Sequence, residues 1–272
     1  MSKKKVLIVT QEMDPYTATS EMAEITRNLS QYTQEHGMEI RILMPRFGSI
    51  NERRHRLHEV VRLSGMNIIV DDDDFPLIIK VASLPEARMQ VYFLDNDDFF
   101  RRKGMFEDDN GQVFEDNADR VVFFCKGVIE TVKKFGWSPD IVHCHGWMTS
   151  LIPLYLKTAY KLDPLFQDSK VVYSIYEEGM ENSVTNNFLA KATINNLTAS
   201  DLSAYQNGAG VTIQKGAIVF SDAIILGSEK ISEPIKKAAH NADKPVLEFL
   251  KADYLPAYID FYHSLLAEKV PE

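Results

Sequence analysis

The chain has 272 residues, 45% hydrophobic and 25% charged, with a formal net charge of −9. This is globular composition, enough for one large domain or two small ones, and the negative balance excludes a basic nucleic-acid footprint. No apolar run approaches the roughly 18 residues of a membrane helix. The run after Lys3, Lys4 and Lys5 stops at Thr10, too early for a signal peptide, so a cytoplasmic protein is expected, with neither membrane nor nucleic acid among its partners.

Val6 to Val9 is a continuous aliphatic run, the mark of a central parallel strand. A turn-rich loop follows, and Ser20 is placed to cap a helix with Met22, Ile25, Leu29 and Tyr32 on one face. Glu39 to Met44 is the next strand, so the chain opens with a βαβ unit. Asn51 to Arg62 reads as a polar surface helix; His55 and His58 lie three apart on it, but no carboxylate or cysteine completes a metal set. The acidic run Asp71 to Asp74 reads as a solvated hairpin turn, and Leu77 to Leu84 with Gln90 to Leu94 as a hairpin. Asp116 is expected to cap a helix with Val121, Phe124, Val128, Ile129 and Val132 on its apolar face.

The next stretch, SPDIVHCHGWMTSLIPLYLK from Ser138 to Lys157, organises the rest. Ile141 to Cys144 is a short buried strand, Gly146 breaks it, and a helix follows with Leu151, Leu154 and Tyr155. In open α/β sheets the ligand crevice lies at the carboxyl ends of the strands, where His145, Gly146 and Trp147 fall. Cys144 points away from His143 and His145 because side chains alternate along a strand, so His-Cys-His is not read as a metal site. Cys125 and Cys144 read as buried thiols. Lys170 to Ile175 is another strand, Lys215 to Lys230 runs helix, strand and a helix starting at Ser228, and Pro245 to Val270 is helical with an interruption at Pro256.

Five segments in order resemble the bacterial glycogen synthases and plant starch synthases of glycosyltransferase family five: VLIVTQEMDPYTATSEMAEI, LMPRFG, VYFLDNDDFFRRKGMF with FEDNADR, PDIVHCHGW, and KGAIVFSDAIILGSEK. The resemblance covers about residues 5 to 235. It implies an α/β fold, a Rossmann-like, mostly parallel sheet flanked by helices, like the N-terminal half of a GT-B architecture. The expected division is a synthase-like domain over 1–240 and a C-terminal helical tail over 241–272 that packs on it. The family reaction moves glucose from ADP-glucose to an α-1,4-glucan, and its second domain carries most donor contacts; the chain is expected to end where that domain begins.

The residues matching the family site are only partly kept. The family's phosphate loop K-T-G-G is here Ala18, Thr19, Ser20 and Glu21, so a cation is lost and a carboxylate stands where a glycine was. Gly146 replaces the aspartate of HDW, Tyr176 a histidine beside the transferred glucose, and Phe106 a tyrosine. The resemblance leaves His145, Trp147, Asp116, Asn117, Phe106, Tyr176 and Glu177 as candidates for glucan contact, with no metal and no cofactor. His143 and His145 also read as packed core histidines, Asp116 as a helix cap, and Trp147 as either core or sugar platform. The leading expectation is a synthase-like domain that is catalytically degenerate alone and binds an α-glucan or a protein partner. The alternatives are an active glucosyltransferase completed by a separately encoded donor-domain chain, and an enzyme of new specificity using Glu177, Glu178 and His145.

Overall fold

The computed structural model describes residues 3–177, 187–194, 197–207 and 210–267. The chain begins with β1 (Lys5–Thr10), α1 (Glu21–Glu35) and β2 (Glu39–Pro45). Then come α2 (Glu52–His55), β3 (His58–Glu59), β4 (Met66–Val70), β5 (Asp73–Ser83), β6 (Gln90–Asp95) and α3 (Asp97–Phe100). The middle holds α4 (Asn117–Phe135), β7 (Ile141–His145), a 3-10 turn over Trp147–Thr149, α5 (Leu151–Lys157) and β8 (Lys170–Ile175). The remainder is α6 (Asn187–Ala192), α7 (Ala199–Leu202), β9 (Gln206–Asn207), β10 (Gly210–Val211), α8 (Ile213–Phe220), β11 (Ala223–Leu226), α9 (Glu233–His240), β12 (Val246–Leu247) and α10 (Tyr254–Leu266).

Among the described residues ten strands form one sheet in the order β12-β11-β8-β7-β1-β2-β6-β5-β3, with β4 on β5. The seven strands from β12 to β6 run parallel, and β5 turns the sheet antiparallel at its far edge. The fold is therefore α/β with a mostly parallel sheet, as the sequence reading held. The parallel strands are aliphatic because both faces are covered: Val6, Ile8, Ile42, Ile141 and Val172 are fully buried.

The chain leaves β1 towards β2 in one direction and later leaves β7 towards β8 in the other. Right-handed crossovers then put α1 and α5 on opposite faces. The direction reverses between β1 and β7, which pair from Val6↔Ile141 to Thr10↔His145. Their carboxyl ends mark the switch point, where open sheets form a crevice.

α10 lies beside α1 and covers the face onto which His143 points. Tyr258, Ile259 and Tyr262 are buried, Asn28 Nδ2 donates to Tyr254 Oη at 3.4 Å, and Tyr262 Oη is bonded to His143 Nδ1. The opposite face carries the two cysteines, both free thiols; Cys125 Sγ donates to Met148 O at 3.1 Å, and burial pushes its thiol up to about 12.

Three local expectations need correction. His55 and His58 do not share a helix: Arg56 takes the left-handed conformation, φ 55°, so α2 stops and His58 enters β3. The acidic run, in contrast, is the solvated hairpin turn expected of it: Asp71 and Asp72 join β4 to β5, which pair from Met66↔Leu77 to Val70↔Asp73, and the strand after the turn starts at Asp73, earlier than Leu77. The helix after β11 starts at Glu233 with Ser232 before it, not at Ser228. The tail is not helical from Pro245: β12 comes first and the helix runs only over Tyr254–Leu266, where Pro256 is no interruption, because it sits in the first turn of α10 and no helical partner awaits its missing N–H.

Candidate functional site

Two cavities open at the carboxyl ends of the parallel strands, each of about 590 Å³. The loop between β1 and α1 divides them. Thr17, Ala18 and Thr19 line one cavity, Ser20, Glu21 and Met22 the other.

The first cavity is at the switch point. Gln11 and Glu12 follow β1, Tyr176 and Glu177 follow β8, Ser228 follows β11, and Phe249, Leu250 and Tyr254 from the tail close the side. Among the described residues Glu12, Glu21, Glu24, Glu177 and Glu229 face it, against Lys230 and Lys251. Glu12 is buried, and its carboxylate accepts the hydroxyls of Thr19 at 2.6 Å and Ser20 at 3.0 Å. The Ser20 oxygen in turn caps α1 by accepting from Met22 N. The loop hydroxyls are thus engaged, and at this cavity carboxylates outnumber cations by five to two. Glu178 lies outside the described residues.

Behind the first cavity sits a buried imidazole stack. His143 and His145 are fully buried with ring centroids 3.8 Å apart. His143 Nε2 is 2.7 Å from Ser174 Oγ, and its Nδ1 is 2.6 Å from Tyr262 Oη. His145 Nδ1 is 2.8 Å from Tyr176 Oη, while its Nε2 has no hydrogen-bond partner among the described residues. Burial holds His145 down at about 3, and burial together with its neighbour holds His143 well below the usual value. Both rings are therefore neutral near pH 7. Tyr176, 3% exposed, stands between His145 and the cavity and contributes its hydroxyl to the ring behind.

Gly146 has φ 83°, and a Cβ there would lie 2.5 Å from Gln11 Oε1 and 2.8 Å from Met22 Cε. The Gln11 oxygen accepts from Met148 N at 3.1 Å, capping the 3-10 turn. An aspartate at this position would need both a new backbone angle and the space held by Gln11.

The second cavity is walled by Tyr16, Ser49, Met105, Phe106, Glu107 and Asp108 together with Ala18 and Thr19. Phe106 is thus at a cavity, resting on Trp147 with ring centroids 4.9 Å apart. Trp147 itself is 3% exposed and borders neither cavity, so it packs as core in this structure. Asp116 makes no side-chain cap for α4; its Oδ2 accepts from Arg102 Nη2 at 2.6 Å. That bond turns the carboxylate from the helix end, which corrects the cap reading. Asn117 is fully buried and donates to Phe106 O at 2.8 Å.

Of the sequence-stated candidates, Ser20, Glu21, Tyr176 and Glu177 meet at the first cavity, and Ala18, Thr19 and Phe106 at the second. His145, Trp147 and Asn117 lie in the layer beneath, while Asp116 lines a shallower neighbouring hollow with Arg102 and Phe114. Glu12 and Gln11 were not among the candidates. Their signal was the polar QEM tripeptide directly after the first aliphatic strand.

The starch synthase catalytic domain model matches residues 5–245. The chain belongs to the glycogen and starch synthase family. The glycogen synthase of Chlorobaculum tepidum is 34% identical over 267 residues, 96% of this chain and 52% of the relative. Those of Pelodictyon phaeoclathratiforme and Chlorobium limicola are 43% and 42% identical over 173 and 180 residues, covering 63% and 65% of this chain and 35% and 37% of theirs. The chain thus spans about a third to a half of the length of these synthases. Among solved structures, the catalytic domain of starch synthase IV from Arabidopsis thaliana, bound to ADP and acarbose, superposes with a TM-score of 0.75 at 18% identity, covering 92% of this chain and 52% of that one. Among the described residues no helix is long and apolar enough to cross a membrane.

Proposed function

We propose that this synthase-family domain binds an α-glucan and, by itself, does not take up ADP-glucose. The observation that carries the proposal is the loop from Ala18 to Glu21. Its Thr19 and Ser20 hydroxyls are tied to the buried Glu12 carboxylate, and Glu21, Glu24 and Glu177 face the same cavity. A nucleotide diphosphate needs cations or free N–H groups at this place, and like charge disfavours it.

The second cavity also carries carboxylates but offers more apolar surface. Tyr16, Met105 and Phe106 supply apolar surface, and Ser49, Thr17, Thr19, Glu107 and Asp108 supply hydroxyls and carboxylates. Sugars present apolar ring faces and a rim of hydroxyls, so this mixture suits an oligosaccharide. Co-sedimentation with glycogen tests the reading. The protein is expected to pellet with the polymer and to be released by soluble malto-oligosaccharide; a supernatant unchanged by glycogen contradicts it.

A further inference from the structure

The polar residues Asp116, Asn117 and Arg120 touch neither main cavity, yet Asn117 and Arg120 are buried. Arg120 is 1% exposed, and burial lowers its guanidinium to about 9. Its Nη1 donates to Met105 O at 2.5 Å and to Asn117 Oδ1 at 2.8 Å. Asn117 Nδ2 donates onward to Phe106 O at 2.8 Å, and Asp116 holds Arg102 at the start of the same loop. The guanidinium also lies over the rings of Phe47, Phe100 and Phe114, at 5.5, 5.3 and 5.6 Å. A buried cation is costly unless its geometry does something in return. Here two side chains on the first turn of α4, Asn117 and Arg120, hold the successive backbone carbonyls of Phe106 and Met105, while Asp116 just before the helix holds the Arg102 side chain.

We infer that Asn117 and Arg120 are positioning residues for the saccharide cavity: they clamp the carbonyls of Met105 and Phe106 and thereby set the wall that those side chains present. The inference rests on the second cavity being the saccharide site. Neither residue lines that cavity, so each acts through the loop. The loop is also pinned from outside, since a Cβ on Gly48 would lie 2.3 Å from both Arg101 O and Arg102 O. On the inner side the Phe106 ring rests on Trp147.

That last contact supplies a probe. The chain has two tryptophans, so in a Trp137→Phe background the emission of Trp147 reports the position of Phe106. Asn117→Asp keeps the acceptor for Arg120 and the side-chain volume but removes the donor to Phe106 O. Maltoheptaose affinity is expected to fall about tenfold, the size of one lost hydrogen bond, and Trp147 emission to shift. Gly48→Ala should displace the same loop from its other side and give the same pair of changes. Ile129→Val, lower on α4, is a stability control and should change neither. If Asn117→Asp changes affinity and emission no more than Ile129→Val does, the clamp has no positioning role and the inference is overturned. If the parent protein binds no maltoheptaose, the glucan reading fails separately. Amide hydrogen exchange then decides the clamp: faster exchange over 104–108 in Asn117→Asp upholds it, and unchanged exchange there refutes it.

Discussion

Tyr262 Oη lies 2.6 Å from His143 Nδ1, joining the last helix to the middle of β7 across 119 residues of sequence. Both groups are fully buried. Tyr262→Phe leaves a buried imidazole nitrogen without its partner, and the cost is expected at about 1–3 kcal/mol, read as a fall in denaturation midpoint. Truncation after Lys251 should do more, because it uncovers the sheet face beneath Tyr258, Ile259 and Tyr262. Lower melting with dye binding or self-association is the expected result. Unchanged melting and a monomeric product would show that α10 does not hold this face.

The imidazole pair makes stability depend on acid. Both folded-state values are depressed, His145 to about 3. Above the ordinary value near 6.5 the rings are neutral in both states, and no cost arises. As pH falls below that point the unfolded chain takes up protons that the folded chain refuses, so stability declines, the His145 share of it continuing until about pH 3. His145→Gln should flatten the decline between pH 6 and 4. Denaturant midpoints with the same pH slope in variant and parent would contradict the assignment.

Gly146 and Gln11 are coupled by contact. Gly146→Ala places a methyl against Gln11 Oε1 at a φ of 83°, and about 2–4 kcal/mol of destabilisation is expected. In a Gln11→Ser background the Gln11 share of the clash should disappear, leaving the backbone part and the contact with Met22 Cε. A double-mutant cycle in chemical denaturation measures the difference. Strict additivity would show that the two side chains do not compete for this space.

Much of the fold was legible because its strands are short, aliphatic and bounded by turn residues: Val6 to Val9, Ile141 to Cys144 and Lys170 to Ile175 all fall within observed strands. Ser20 was readable as a cap for the same local reason. What escaped depends on distant partners. Asp116 has the residue type and place of a cap, but Arg102, fourteen positions earlier, takes its carboxylate. Trp147 follows a crevice glycine, yet Phe106 and the core cover it. Glu12 became visible only when its two hydroxyl partners folded back onto it. Pro256 read as a break because its position in the turn could not be known before the helix start was.

The acidic loop and the cavity proposed for an oligosaccharide are tested most directly by parallel calorimetric titrations of one sample. Maltoheptaose should give a saturable heat, whereas ADP-glucose should give none up to about 1 mM, a concentration at which even 4 kcal/mol of binding free energy would register. Saturable ADP-glucose binding at micromolar affinity, with no heat from maltoheptaose, would contradict both assignments.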